Sequence, residues 1–274
     1  KILRWTEKDP VRMRRDEMFW TCFGVVLACS AVFMFFWCRE DLSLGLAVKL
    51  EEYYFNMVMA LGLFDAMFAA MFLNAEYTEG TIRNKLAAGH TRREVYLAHF
   101  LTVLAASLLI MAAWLAGGCV GIPMIGIWGF GLAGWAHHVL IAVGFTVSFA
   151  AIFTFLGLLL SGRHATVAVV LTYFALLLGA ATVNNILSEP EFSSGIITTM
   201  DGIQMAGPEP NPRYVSGTLR TFLEVLQDFF PTGQAIQVQN LSVLSPLRAL
   251  ACDLGVTAAF TLGGLALFER KDLR

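Results

Sequence analysis

The sequence has little charge and lacks the common catalytic motifs. Only 15% of its 274 residues are Asp, Glu, Lys or Arg, and the formal net charge of -2 gives no basic surface for capturing nucleic acid. The phosphate-binding motif G-x-x-x-x-G-K-[ST] is missing, which excludes ATP hydrolysis by that architecture within this chain. The motifs H-E-x-x-H and G-x-S-x-G are missing as well. We therefore expect no catalytic site and no bound cofactor in this chain.

Residues that could form disulfides or ligate metals are also few. The five cysteines lack the C-x-x-C spacing of redox and metal sites, and most fall inside or at the ends of apolar runs, so we interpret them as small packing residues. His137 and His138 are neighbours, but adjacent helical residues point about 100° apart and no third ligand is close in sequence. We expect no metal site.

The chain is instead rich in apolar residues. Hydrophobic residues make up 57% of the sequence, and the mean hydropathy is +0.65. Runs of roughly 20 apolar residues can cross a bilayer, and in lipid such runs must be helices because their backbone polar groups have to be satisfied internally. We predict an all-α membrane protein with one six-span domain over residues 18–274. The predicted spans cover about residues 18–38, 53–73, 95–116, 139–160, 165–187 and 248–268.

The distribution of basic residues predicts the orientation of these spans. Six spans place both termini on the same side. Fourteen of the Lys and Arg residues fall on that side, four fall on the other side, and Arg248 lies at a boundary. Because basic residues concentrate in cytoplasmic loops, we predict that both termini are cytoplasmic in a multi-pass plasma-membrane protein.

Three segments outside the spans carry their own signals. Residues 1–17 mix apolar and basic residues, which predicts either a cytoplasmic interfacial helix or an unstructured basic tail. The Gly-rich residues 117–138 suit an outer-leaflet or partly re-entrant connection. In the outer segment 188–245, prolines predict a loop in the first half, whereas residues 218–230 have the apolar spacing of an amphipathic helix at the outer membrane surface, ended by Pro231.

The segment 74–94, between predicted spans 2 and 3, is unusually charged. Residues around Lys85 can form about two turns of helix, and Gly89 is placed to end it in a left-handed conformation. Thr91 and Glu94 then form a capping box directly before the next apolar run. A short polar helix cannot bury much of itself, so we expect another protein to cover it.

Ionisable residues inside the predicted spans are rare, and Asp65 is the deepest. Placing a carboxylate at membrane depth costs about 2.5–3.5 kcal/mol. Asp65 is therefore either a functional group facing the bundle interior, a partner or water, or a protonated or hydrogen-bonded packing residue. His99 and Asp253 lie nearer the span ends, and we interpret them as structural. An ion-gradient-driven secondary transporter that uses Asp65 is the alternative function.

The charged segment resembles the corresponding part of the permease subunits of type 2 ABC transporters, a family of bacterial six-span exporters. The matching positions are Glu76, Gly80 and Thr81, followed by Thr91 and Arg92 at the entry to span 3, and the chain ends in the charged tail FERKDLR. The order and spacing of these motifs carry the resemblance, which extends over the whole six-span plan.

The resemblance implies a permease subunit of an ATP-driven exporter in the bacterial cell membrane. Residues 79–88 would form a coupling helix that docks in a groove of a separate ABC ATPase subunit, which holds ATP and Mg²⁺. The chain would pair with a second permease chain, identical or different, and move a hydrophobic or amphipathic cargo such as a peptide, a lipid-like molecule or a drug by alternating access. The sequence departs from the family pattern at His99, where relatives carry a lysine, which puts a fixed cation at this position in doubt.

Two sets of residues follow as candidate sites. The contacts expected with the ATPase subunit are Glu76, Glu79, Gly80, Thr81, Arg83, Asn84, Lys85 and Arg92. The residues expected along a translocation path are Phe55, Met59, Asp65, Met67 and Phe68. Catalytic, cofactor and metal residues are expected to be absent.

Overall fold

The structure is a computed structural model that describes residues 12–45, 49–125, 129–160, 163–199, 202–243 and 245–271. Within these residues, six helices are long and apolar enough to cross a membrane, as predicted. In chain order the elements are α1 (Glu17–Ser43), α2 (Leu50–Tyr54), α3 (Val58–Thr78), α4 (Thr81–Ala87), α5 (Arg92–Gly118), α6 (Ile122–Ile125), α7 (Gly131–Leu159), α8 (Arg163–Leu187), β1 (Phe192–Thr199), β2 (Gly202–Pro210), α9 (Gly217–Phe229), α10 (Pro231–Gln239) and α11 (Pro246–Arg270).

Local sequence signals start several of these helices. The Asp16 carboxylate accepts a hydrogen bond from the Phe19 backbone N–H at 3.1 Å and caps α1. The predicted capping box is present at the start of α5, where Thr91 and Glu94 each accept from the other's backbone N–H. Pro246 occupies the first turn of α11, where its missing N–H leaves no hydrogen bond unmade.

The core of the bundle is built around α7, which packs against α3, α5, α8, α10 and α11. Its aromatic residues Phe145, Phe149 and Phe153 are fully buried. Gly62 on α3 permits the close approach of α7 and α8, because a Cβ there would lie 2.5 Å from the Tyr173 ring and 2.8 Å from the Phe149 ring. The packing resembles other membrane bundles, in which small residues let helices approach closely.

Helices α1 and α5 cross in backbone contact at Gly117. A Cβ at Gly117 would lie 2.6 Å from the backbone oxygen of Leu27 and 2.7 Å from the Ser30 Cβ. Just beside it, the Ser30 hydroxyl donates to the Trp114 carbonyl at 2.9 Å. The helices therefore meet through backbone atoms and a buried hydroxyl rather than through long side chains.

We expect Gly117→Ala to force α1 away from α5 and to destabilise the fold by about 1–3 kcal/mol, the usual cost of overpacking. Thermal unfolding of the purified chain in mild detergent measures the effect. Gly24→Ala in α1 is the matched control, because no atom lies within 4 Å of the added Cβ there. Equal unfolding temperatures for the two variants would contradict the close approach.

One end of the bundle, called here the α4 end, gathers several helix termini. The Tyr77 hydroxyl near the end of α3 donates to the Leu158 carbonyl near the end of α7. The Lys271 ammonium, just past α11, donates to the same carbonyl and to the Tyr77 hydroxyl, both at 2.9 Å. Partial burial lowers the pKa of the Lys271 ammonium. Arg12, which precedes α1, donates to the hydroxyl of Thr81, the first residue of α4. The start of α1, the end of α11 and the loop that holds α4 therefore share this end.

The segment after α8 differs from its prediction. Its first half, predicted as a loop, forms an antiparallel ribbon in which β1 pairs with β2, so the all-α prediction omitted one hairpin. The prolines sit at the end of this ribbon, with Pro210 opposite Phe192 and Pro208 opposite Ser194. A two-stranded ribbon consists of edge strands only, where a missing N–H is tolerated.

The second half of that segment is helical, as predicted, but contains more than one helix. In α9 the apolar residues Leu219, Phe222 and Phe229 are exposed, as an amphipathic surface helix requires. Pro231 ends this pattern, but it also begins α10, which was not predicted and is buried from Pro231 to Val238. Proline suits the first turn of a helix because its N–H would be unpaired there in any case.

Two further segments were predicted in part only, and the prediction for a third is not tested. The Gly-rich residues 117–138 are mostly helical where the structure describes them, as parts of α5, α6 and α7. Predicted span 2 is interrupted between α2 and α3. The predicted interfacial helix over residues 1–17 falls largely on residues 1–11, which lie outside the described residues, as do residues 272–274 of the tail.

Candidate functional site

The charged segment between α3 and α5 folds as predicted, with α4 as a helix of seven residues. Gly80 precedes it at φ +68° and Gly89 follows it at φ +91°, both in the left-handed region that glycine tolerates best. The Gly89 N–H donates to the Leu86 carbonyl at 3.0 Å, which closes the helix. The two glycines allow the chain to leave α3, form α4 and enter α5 within a few residues.

One face of α4 is anchored to the bundle and the other faces outward. Ile82 is buried with 1% of its surface exposed, and Leu86 packs against the same core. Arg83, Asn84 and Ala87 are exposed. A helix held on one side and open on the other can present a defined surface to a second protein.

The anchoring includes a set of charged residues around a buried carboxylate, called here the Glu76 cluster. It consists of Glu76, Arg12, Lys85 and His99. Glu76 has no exposed surface, yet its carboxylate lies 2.8 Å from Arg12 Nη1, 3.2 Å from Lys85 Nζ and 3.1 Å from His99 Nε2. A buried carboxylate is tolerated when cations compensate its lost hydration, and here two or three of them do so.

The protonation of His99 decides how many cations the cluster holds. His99 Nδ1 lies 2.6 Å from the Val95 carbonyl, which can only accept, so Nδ1 carries a proton. As an imidazolium, His99 also donates from Nε2 to Glu76. As a neutral ring, it accepts at Nε2 from Lys85 Nζ, 3.4 Å away. Although a lysine is expected at His99 from the family pattern, Lys85 and Arg12 already place fixed cations beside Glu76.

Arg12 ties the start of the described chain to the turn before α4. Besides its ion pair with Glu76, its Nη1 donates to the Thr81 hydroxyl at 3.1 Å and its Nη2 to Glu79 at 2.6 Å. It therefore holds both sides of the Gly80 turn. Sequence reasoning missed this role, and the only available signal was a basic residue in the N-terminal segment.

Arg92 joins the start of α5 to the end of α11. Its Nη1 donates to the carbonyls of Phe268 at 3.3 Å, Glu269 at 2.9 Å and Lys271. The Phe268 carbonyl also accepts from the Lys271 backbone N–H at 3.3 Å. Carbonyls at the end of a helix lack a full set of backbone donors, so the Arg92 guanidinium acts as their cap. The neighbouring Arg93 forms an exposed ion pair with Glu269.

The structure thus divides the eight residues predicted to contact a partner. Glu76 and Lys85 are buried or half-buried in the Glu76 cluster and Arg92 bonds to the end of α11. Glu79, Arg83 and Asn84 are exposed, and Glu79 also pairs with Arg12. Gly80 and Thr81 form the turn into α4. Exposure, rather than charge alone, identifies the face available for docking.

The predicted path residues also lie in different environments. Phe55 packs against Trp114, Phe130 and His138, and Phe68 packs against Phe19 and Phe72. Both phenylalanines are fully buried, whereas Met59 and Met67 are partly buried.

Asp65 is 1% exposed and lies in the middle of α3. The Ser107 hydroxyl on α5 is close enough to interact with its carboxyl group. Neither carboxyl oxygen has a well-formed hydrogen bond among the described residues, and the same holds for the Ser107 hydroxyl. Asp65 therefore packs inside the chain in this conformation rather than at an open surface. In the described part of the chain, no group of three or more His, Cys, Asp or Glu residues is arranged to hold a metal ion.

Comparison with known proteins adds one finding. A family model described as an ABC-2 family transporter protein matches residues 11–179, which is more than half of the chain. The matched region runs from the start of the described residues to within α8, and it contains α4 and the whole Glu76 cluster. No curated protein matched the chain.

Proposed function

The chain belongs to the ABC-2 family of transporter membrane proteins, and on that premise we propose that it is the permease subunit of an ATP-driven exporter whose ATPase docks on the outward face of α4. ABC-2 permeases are multi-pass membrane proteins and typically the non-catalytic subunit of their transporter. The observation that carries the proposal is the construction of α4, which is anchored by Ile82 and the Glu76 cluster and exposed at Arg83, Asn84 and Ala87.

The α4 end is the cytoplasmic end in this proposal. Both the start of α1 and the end of α11 lie there, together with Arg12, Arg92 and Lys271. The excess of basic residues on the side of the termini supports this orientation. A cytoplasmic α4 can reach an ATPase, which needs cytoplasmic ATP.

Force applied to α4 would reach several spans at once. The Glu76 cluster connects α4 to α3 and α5, and Arg92 connects α5 to α11. When ATP draws two ATPases together, paired α4 helices would move with them and shift the two permeases between inward-open and outward-open states. In this proposal, α3 and α8 of two chains face each other across the path, which suits a hydrophobic or amphipathic cargo.

The predicted contact residues have two roles in this proposal. Glu79, Arg83 and Asn84, which are exposed, contact the ATPase. Glu76, Lys85 and Arg92, which bond internally, position α4 and transmit its movement. The family match counts against the alternative of a secondary transporter that uses Asp65 as an ion carrier.

The docking face can be tested by placing negative charge on it. We expect the double variant Arg83→Glu, Ala87→Glu to reduce co-purification of the ATPase subunit from the native host at least tenfold, because both positions are exposed on the outward face of α4. Lys85 is left unchanged, since it pairs with Glu76 and its loss would disturb the fold.

Arg213→Glu is the matched control for this experiment, because Arg213 is exposed beyond β2, far from the α4 end. It should leave co-purification unchanged. Size-exclusion chromatography of each variant checks that the chain is still folded. An ATPase that remains bound to the Arg83→Glu, Ala87→Glu double variant would refute docking on α4.

A further inference from the structure

A groove lies on the side of the bundle between α8 and α11, called here the α8–α11 groove. Among the described residues, these two helices both pack against α7 and against α9 but barely against each other. Ile152 and Leu156 of α7 form the floor of the groove, and its volume is about 170 Å³. The groove therefore exists because α8 and α11 are joined through other helices rather than through direct contact.

The turn between α9 and α10 closes one end of the groove at about the middle of the spans. Arg220, near the start of α9, donates to the carbonyl of Leu187, the last residue of α8, at 3.3 Å. Thr232, just after the turn, donates to the Leu176 carbonyl at 2.8 Å. Leu176 lies eleven residues before Leu187, which is about 16 Å along a helix. Helix α9 therefore descends beside α8 into the bundle, and the groove lies at the depth of the bilayer interior.

The lining of the groove is almost entirely apolar. Thr172 is the one described lining residue with a polar side chain, and its hydroxyl donates to the Ala168 carbonyl of its own helix at 2.8 Å. The other lining residues are isoleucine, leucine, valine, phenylalanine and proline. Apolar cavities of this size stay free of water even in soluble proteins, and an empty groove would forfeit dispersion contacts along its walls. The lining therefore favours an apolar occupant.

The size and the surroundings of the groove favour a hydrocarbon chain. Pockets for drug-sized ligands measure about 300–1,000 Å³, so 170 Å³ suits one slender chain. Next to the lining residues, α8 carries the exposed Leu171 and Leu178, and α11 carries the exposed Leu254 and Leu262. Both helices are long and apolar enough to cross a membrane, so these leucines face the bilayer and the groove is continuous with it. A helix of a second protein is about 10–12 Å across and would meet these leucines before it reached the floor.

We propose that the α8–α11 groove binds one acyl chain of a membrane phospholipid. The acyl chain packs on Ile152 and Leu156 and ends against Phe230, at the turn between α9 and α10. It thereby supports this turn at its depth in the membrane. No described residue of α3 lines the groove, so this lipid is a resident component of the permease and not a cargo on the path proposed along α3.

Photocrosslinking locates the lipid. The purified permease is loaded with a phosphatidylcholine that carries a diazirine in the middle of one acyl chain, washed with excess detergent to exchange loosely bound lipid, and then illuminated. We expect Leu156 and Leu176 to carry at least fivefold more label than Leu171 and Leu254, because an acyl chain bound in the groove survives the wash and lipid on an exposed face does not. Even labelling of the four leucines would overturn the proposal, and so would labelling concentrated on α3, which would make the lipid a cargo.

A substitution that fills the groove tests the same site by lipid content. Val256→Phe places a ring in the groove and should lower the phospholipid retained after the wash at least fivefold, as measured by native mass spectrometry. Leu254→Phe is the matched control, because Leu254 lies on the same helix but is 73% exposed, and it should retain the lipid. Thr172→Leu fills the groove from α8 and replaces Val256→Phe if that variant does not elute as a folded chain in size-exclusion chromatography.

Two further results would overturn the proposal. One is unchanged lipid retention in a folded variant that fills the groove. The other is a dimer that protects Leu156 and Leu176 from the label and that Val256→Phe dissociates, because it would assign the groove to a second copy of the chain. No ATPase is present in these experiments, so they test the groove independently of the proposed docking on α4.

Discussion

Glu76→Ala is expected to cost about 3–5 kcal/mol of folding stability, the usual effect of removing one partner from a buried ion pair. The variant leaves Lys85 and His99 facing each other at 3.4 Å without their carboxylate. His99 and Lys85 are respectively 1% and 10% exposed at their side chains, so water cannot replace the lost interaction. Thermal unfolding in detergent and the yield of folded chain measure the loss.

Glu79→Ala is the matched control, because Glu79 is three residues away and also pairs with Arg12. Its side chain is 60% exposed, and exposed ion pairs contribute about 0–1 kcal/mol. The two variants remove the same kind of group from neighbouring positions at the end of α3, so they differ mainly in burial. If both lowered the unfolding temperature equally, the Glu76 cluster would not be the anchor of α4.

A double variant separates charge from packing in the cluster. Glu76→Gln with Lys85→Met removes one negative and one positive charge while keeping side chains of similar length. We expect this pair to be more stable than Glu76→Gln alone, since the single variant leaves an uncompensated buried ammonium group. Additive effects of Glu76→Gln and Lys85→Met would show that the two residues do not interact.

The features that sequence predicted well depend on short stretches of chain. The six spans follow from run length, the start of α5 follows from the capping box of Thr91 and Glu94, and the end of α4 follows from Gly89. Each of these signals acts within a few residues, where propensity and backbone geometry decide the outcome.

The features that sequence missed depend on distant partners. Helix α10 contains three glutamines and reads as a polar connector, yet it is buried. The burial of these polar side chains is tolerated where they are hydrogen-bonded. Gln234 Nε2, for example, lies 2.7 Å from the Asp228 carbonyl, 3.2 Å from the Ala249 carbonyl and 3.1 Å from Asp253 Oδ1. These partners lie on α9 and α11, and spacing along the chain does not reveal them.

The candidate site shows the same difference between features set by nearby residues and features set by distant partners. The sequence identified the charged loop that contains α4, but it could not separate the charges that hold the loop from those that face outward. Arg12 is 64 positions before Glu76, and Arg92 reaches carbonyls 176 to 179 positions away. In a short loop beside apolar spans, basic side chains bond to the carbonyls at helix ends and to buried carboxylates. The presence of charge in the sequence therefore does not by itself identify a docking surface.

Arg92→Ala is expected to separate ATPase binding from movement of the last span. The variant keeps the outward face of α4, so the ATPase should still co-purify and hydrolyse ATP within about twofold of the original rate. It removes the bond between the start of α5 and the end carbonyls of α11. Without that bond, α5 and α11 are still joined by packing, in which the Tyr96 hydroxyl donates to the Phe260 carbonyl at 3.3 Å and the Tyr96 ring lies against Phe268. The response of α11 to a displacement of α4 should therefore weaken rather than vanish.

Hydrogen–deuterium exchange of the permease–ATPase complex, with and without ATP, measures this loss. In the unchanged protein, ATP should alter exchange in both α5 and α11, whereas in Arg92→Ala the response should persist in α5 and fall at least severalfold in α11. Arg93→Ala is the control, because Arg93 forms only an exposed pair with Glu269 at the same junction. An undiminished response of α11 in Arg92→Ala would mean that the last span follows α4 through its side-chain packing on α5 and α7 instead.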